Sequence, residues 1–148
     1  LCEQRMNEDS AHCLALRQRM ESGLLERLDS VEVNGSKDLR MPQITNISFA
    51  FVEGESLMMG IKDIACSSGS ACTSESLEPS YVLKGLGIGD ELAHSSLRLS
   101  FSRWSTEEEV DYAIDLISNA VEHLRKMSPL FDLHNEGVDI SKIEWQSH

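Results

Sequence analysis

Leu16, Met20, Leu24 and Leu28 recur every four residues, with Cys13 and Leu25 beside them. That spacing predicts one amphipathic helix over residues 3–28, with Arg17, Arg19, Glu21 and Glu26 on its solvated side. The period then changes. Val31-Glu32-Val33 is a short strand candidate, and Asn34-Gly35-Ser36-Lys37-Asp38 is a turn. From Ile44 to Val52 the alternation is strand-like, with Thr45, Ile47, Phe49 and Phe51 on one face and Asn46, Ser48 and Ala50 on the other. Glu53-Gly54-Glu55 opens a short helix through Leu57, Met58, Ile61 and Lys62. Asp63-Ile64-Ala65-Cys66 reads as a brief buried strand. A second short helix runs from Ser80 to Leu86 and is stopped by Gly87 and Gly89. Ser96 to Ser102 is again a strand, with Leu97, Leu99 and Phe101 on one face and Ser96, Arg98 and Ser100 on the other. The last strong element is a helix from Glu107 to Lys126, where Val110, Ile114, Ile117, Val121 and Leu124 form one stripe. Ser105 or Thr106 caps it, three glutamates open it, and Arg125-Lys126 close it to suit the helix dipole. Pro129 ends it.

The sum is an α+β domain with a short, mostly antiparallel sheet and two long helices on one face. The 148 residues suffice for one domain with a real core, and the 5% aromatic content makes that core aliphatic and Met-rich. A net charge of -12 argues against nucleic acid or an anionic membrane as partner. No apolar run approaches the roughly 20 residues of a membrane span. The chain begins at Leu1 and enters helix-like sequence directly, as expected of a piece of a longer protein. The four cysteines are Cys2, Cys13, Cys66 and Cys72, without a CxxC knuckle. That spacing disfavours a zinc site, and the length removes the need for disulfides, so a reducing compartment is expected.

One stretch stands apart. Ser67-Ser68-Gly69-Ser70-Ala71-Cys72-Thr73-Ser74 sets a thiol among small hydroxyl residues with nothing to bury, which predicts a mobile loop. A thiol on such an arm suits chemistry in which sulfur is collected in one place and delivered in another. Glu75 and Glu78 oppose its ionisation, so activation must come from the substrate or from elsewhere in a larger site. Arg98 is the second candidate. With Leu97 and Leu99 turned to the core, its guanidinium points away from it, flanked by Ser96 and Ser100, in a setting that favours a bidentate carboxylate. A plain surface arginine is the competing reading. His94 lies close to that strand and is a candidate hydrogen-bond partner. His12, His123 and His148 read as surface residues, and Arg103 as structural or exposed. Cys66 reads as a small apolar strand residue rather than a redox partner of Cys72.

Several long stretches carry a resemblance. They are residues 51–57 (Phe51-Val52-Glu53-Gly54-Glu55-Ser56-Leu57), 67–83, Glu91 to Arg98, Trp104 to Tyr112, Met127 to Leu130, and Gly137 to Trp145. Together, in this order, they resemble the IscS-like cysteine desulfurases of bacteria and mitochondria, pyridoxal-phosphate enzymes of the class-V aminotransferase type. The resemblance implies the small C-terminal domain of a fold-type-I enzyme over residues 1–129, including the cysteine loop 67–80, then a C-terminal tail over 130–148. It implies that Cys72 attacks the sulfur of the bound substrate, L-cysteine. Cys72 then carries that sulfur as a persulfide to an iron-sulfur cluster scaffold, leaving alanine. It implies that Arg98 binds the substrate carboxylate, with His94 in support. No resident metal is implied, though Cys72 could ligate a cluster transiently.

The same resemblance implies a homodimer in the full-length protein, with no nucleic-acid or membrane partner. The implied location is the mitochondrial matrix or the bacterial cytoplasm. Two positions depart from the pattern: Glu75 replaces a small apolar residue, and Cys66 an aliphatic one. The lysine that holds pyridoxal phosphate in the family has no counterpart among Lys37, Lys62, Lys84, Lys126 and Lys142. The large cofactor-binding domain is therefore absent, and the chain alone is expected not to turn over cysteine. The alternative is a non-catalytic persulfide carrier or scaffold-docking module.

Overall fold

A computed structural model of the chain describes residues 2–68 and 80–137. Its elements are α1 (Cys2–Arg27), β1 (Val31–Val33), β2 (Ile44–Phe49), α2 (Gly54–Gly60), β3 (Ser67–Ser68), α3 (Tyr81–Gly85), α4 (Asp90–His94), β4 (Ser96–Ser100), α5 (Glu107–Arg125) and α6 (Pro129–Asn135). The four strands form one antiparallel sheet in the order β1-β2-β4-β3. The α+β expectation holds.

Apolar periodicity sets the layers. The α1 stripe of Cys13, Leu16, Met20, Leu24 and Leu28 is buried, as is the α5 stripe of Val110, Ile114, Ile117 and Val121. Both stripes join Ile47, Phe49, Leu97 and Leu99 of the sheet in one core. Leu25 falls off the stripe and is exposed. Across the helix pair, Arg19 grips Asp111 with a two-pronged hydrogen bond (2.7 and 2.8 Å), and Arg27 pairs with Asp115. These pairs are open to water, so they set helix register more than stability. Thr106, not Ser105, caps α5, in a reciprocal capping box with Glu109.

The structure corrects the sequence reading in several places. Strand β2 stops at Phe49, because Phe51 takes a left-handed backbone (φ 64°) and leaves the sheet. Its ring packs instead on Phe131 and His134 of α6. The brief strand expected at 63–66 is a turn, and the pairing residues are Ser67 and Ser68, expected in the loop. Backbone groups make that ladder, so small polar side chains do not prevent it. Asp90–His94 is helical, an element the alternation gave no hint of. Pro129 opens α6 rather than merely ending α5, since its missing N–H costs nothing in a first turn.

Arg17, expected on a solvated side, and Arg125, expected only to match the helix dipole, are both buried. Arg17 bonds the Met41 carbonyl (2.8 Å) and lies beside Glu21, which also takes Arg40 and Thr45. Arg125 is 2% exposed. Its guanidinium donates to the carbonyls of Asp29 (2.9 Å), Ser30 (3.1 Å) and Ala50 (3.1 Å), and lies over the Phe131 ring. Ser30 itself has a positive φ (51°), so this one side chain holds both left-handed corners of the sheet, at Ser30 and beside Phe51. Burial pulls its pKa down, while Asp29 opposes the shift.

One close approach fixes the start of β4. Gly54 lies against the backbone carbonyl of His94, and a Cβ there would overlap that oxygen. Glu53 caps α2, accepting from the N–H groups of Glu55 (2.9 Å) and Ser56 (2.7 Å). Burial of the Glu53 carboxyl works to raise its pKa, but Ser56, the two N–H groups and nearby His94 together hold it below the ordinary range.

Gly54→Ala should therefore destabilise the chain by roughly 2 kcal/mol or more, since backbone must move. Gly85→Ala, with open space around its Cβ, should change stability by less than about 1 kcal/mol; chemical denaturation of the two variants makes the comparison. Arg125→Met strips donors from three carbonyls and should cost about 2–4 kcal/mol, seen as a lower denaturation midpoint at unchanged slope. The Glu53 cap contributes fully above the unfolded carboxyl pKa of about 4.3 and is lost as pH falls through the lower folded value. Glu53→Gln should flatten that acid limb in a series of melting temperatures against pH.

Candidate active site

Strand β4 sets the site by its two-residue period. Leu97 and Leu99 are buried in the core, and Arg98 between them is exposed. Ser96, expected beside Arg98 in the open, is buried and donates its hydroxyl to the Ala93 carbonyl (3.0 Å). The packing of α4 against β2 closes that end of the polar face. Arg98 and Ser100 stay open.

The register places Arg98 opposite Asn46 of β2 on one side and opposite Ser67 of β3 on the other. Asn34, just past β1, extends this row, its N–H donating to the Asn46 carbonyl (2.9 Å). The polar row across the sheet is thus Asn34, Asn46, Arg98, Ser67. Asn34 is buried, and its Nδ2 donates to Asn46 Oδ1 (2.6 Å) and Ser48 Oγ (2.8 Å). No carboxylate among the described residues lies within ion-pair distance of Arg98. An exposed arginine between neutral polar neighbours is equipped to take a carboxylate from outside the chain.

Of the residues singled out from sequence, Cys72, Glu75 and loop positions 69–79 lie outside the described residues, as do His148, Lys142 and the tail from Val138. His94 ends α4 with its side chain exposed, and among the described residues no hydrogen bond joins it to Arg98. His12 and His123 are exposed, as expected, and His12 Nε2 meets the Ser105 carbonyl (2.9 Å). Arg103 is structural, paired with Asp9 (2.7 Å) and stacked on Trp104. Cys66 is half-buried against the Met58 sulfur (3.6 Å), and burial pushes its thiol up. Burial likewise raises the Cys13 thiol, with Asp9 adding and Arg103 opposing. Neither of these two thiols is activated as a nucleophile.

Asn34 and Asn46 were not singled out as functional from the sequence. For Asn46 the available signal was asparagine at an alternating strand position, which β propensity disfavours; Asn34, in the expected turn, gave none.

A pyridoxal-phosphate site does not fit the described residues. Lys37, Lys62, Lys84 and Lys126 are all exposed, and Lys84 is engaged by Asp90 (3.2 Å). Two open clefts, about 310 and 480 Å³, are lined by neither Arg98 nor Ser67. The first lies by Cys13 and Trp104, the second by Arg125 and Phe131. Arg98 sits on an open sheet face, one wall of a site.

The chain is 59% identical over its whole length to the cysteine desulfurase IscS of Photobacterium profundum, of which it covers 36%. It is 57% identical to the cysteine desulfurase IscS of Mannheimia succiniciproducens, again over its whole length and 36% of that protein. The chain thus spans about a third of the length of these curated relatives. In fold, it matches the crystal structure of a NifS-like protein from Rickettsia africae, with a TM-score of 0.69 and 23% identity. That match covers 80% of this chain and 31% of the other. The aminotransferase class-V family model matches residues 1–113. With its small antiparallel sheet and flanking helices, this chain belongs to the aminotransferase class-V family.

Proposed function

We propose that this chain supplies the sulfur-accepting thiol and the carboxylate-binding arm of a cysteine desulfurase. Arg98 binds the α-carboxylate of L-cysteine, and Cys72 takes its sulfur. The observation that carries this reading is the pairing of Ser67 with Arg98. Cys72 follows Ser68 by four residues. Four residues of sequence therefore link the thiol to the strand that pairs with Arg98. The identity to desulfurases over the whole chain supports the same assignment.

In the proposed step a bond forms between the Cys72 sulfur and the substrate sulfur, and the substrate carbon–sulfur bond breaks. The electron pair stays on carbon, which takes a proton and leaves as L-alanine. Cys72 is left as a persulfide, the form handed to an acceptor such as an iron-sulfur scaffold. The arginine fork orients the carboxylate, so that the substrate thiol presents one direction to the incoming Cys72. His94, at the end of α4 beside the Arg98 strand, keeps a supporting part. Pyridoxal phosphate, the group that stabilises such carbanions, would be held by parts of a longer protein outside this chain.

In that protein residues 1–129 form the small domain and 130–148 the tail of each subunit of a homodimer. The bacterial sources of the relatives favour the bacterial cytoplasm over the mitochondrial matrix.

The test uses the longer protein that contains this chain, loaded with pyridoxal phosphate and given L-cysteine. Intact mass should show one added sulfur at Cys72 with L-alanine released, and Cys72→Ser should abolish both. Arg98→Ala should raise KM for cysteine about tenfold to a hundredfold, the worth of hydrogen bonds to a charged group. An unchanged KM would remove Arg98 from the site. The chain alone, under the same conditions, should release no alanine, and release by it would contradict the division of labour.

A further inference from the structure

We infer that Asn46 is a second donor to the substrate carboxylate beside Arg98, held in position by Asn34. This inference rests on the carboxylate-binding reading of Arg98 and adds two residues to it.

The argument begins with the ladder. The Asn34 N–H donates to the Asn46 carbonyl (2.9 Å), so the backbone polar groups of Asn46 face β1. Toward β4, Asn46 therefore occupies the non-hydrogen-bonded position opposite Arg98. Side chains approach each other most closely at that kind of pair. Asn46 and Arg98 share the sheet face opposite Leu97 and Leu99, because side chains alternate along each strand.

The carboxamide is then oriented by its own geometry. Asn34 Nδ2 holds Asn46 Oδ1 from the β1 side at 2.6 Å. A carboxamide is planar, with its oxygen and nitrogen on opposite sides of the carbon. Fixing the oxygen toward β1 turns Nδ2 toward β4 and Arg98. Asn46 is half-buried and Arg98 exposed, so both groups remain within reach of a ligand. Neither group has an acceptor among the described residues. Two adjacent donor groups without an acceptor between them match a ligand with two acceptor oxygens, which is a carboxylate.

Asn34 adds an independent sign. It is 5% exposed, and its own Oδ1 is buried without a hydrogen-bond partner among the described residues. A buried orphan acceptor costs stability. What this arrangement provides in return is the orientation of Asn46, which makes Asn34 a positioning residue.

The test again uses the pyridoxal-loaded longer protein, with L-cysteine as substrate and cysteamine, which lacks the carboxylate, as competitor. Asn46→Asp keeps the acceptor that Asn34 bonds but turns an oxygen toward the substrate. It should fold normally and raise KM for L-cysteine more than about tenfold, with kcat within about twofold. Asn46→Ala and Asn34→Ala should raise KM in the same direction, by less. In these two alanine variants inhibition by cysteamine should change by under about twofold, because the lost contact is to a group cysteamine lacks. A structural defect would weaken cysteine and cysteamine together, and that outcome overturns the inference. So does an unchanged KM in Asn46→Asp while Arg98→Ala still raises it, which leaves the desulfurase reading standing. If Arg98→Ala also leaves KM unchanged, both fall.

Discussion

Leu97 and Leu99 cannot enter the core without turning Arg98 out of it. That two-residue period is the constraint on which the site depends. Because β4 pairs on both edges, the same alternation selects its neighbours: Asn46 from β2 and Ser67 from β3. A slip of one residue in either ladder would bury the guanidinium and expose the leucines, at a prohibitive cost. The core therefore holds the polar row in register, and the row needs no strong interactions of its own.

The remaining structure secures the ends of that sheet. Gly54 admits the His94 carbonyl at the entry to β4, which explains why a glycine stands between Glu53 and Glu55. Arg125 gathers the chain where β1 begins and β2 ends, then carries Phe131 of α6 on its face. Both devices use backbone carbonyls as the contact point. They tie the corners without regard to the side chains there, and they leave the face bearing Arg98 open.

The sequence made the long helices, the paired strands and the outward turn of Arg98 readable, because each rests on local period and on the burial of aliphatic residues. The thiol stretch and the family resemblance were readable from residues alone. Other features were invisible for physical reasons. Arg125 looked like a dipole-matching end residue, since its carbonyl partners lie more than seventy positions away in sequence. Asp90–His94 is too short for a period to show. Phe51 continued the strand alternation, but tertiary packing on Phe131 and the left-handed turn overrode it. Asn34 looked like a turn residue, and only the pairing of β1 with β2 brings it to Asn46.

The most direct test is a crystal structure of the longer protein with L-alanine, the expected product, bound beside pyridoxal phosphate. The account predicts the alanine carboxylate within hydrogen-bond distance of the Arg98 guanidinium and of Asn46 Nδ2, with Asn34 still bonded to Asn46 Oδ1. A carboxylate bound elsewhere, with Arg98 in solvent or paired to another protein group, would contradict it.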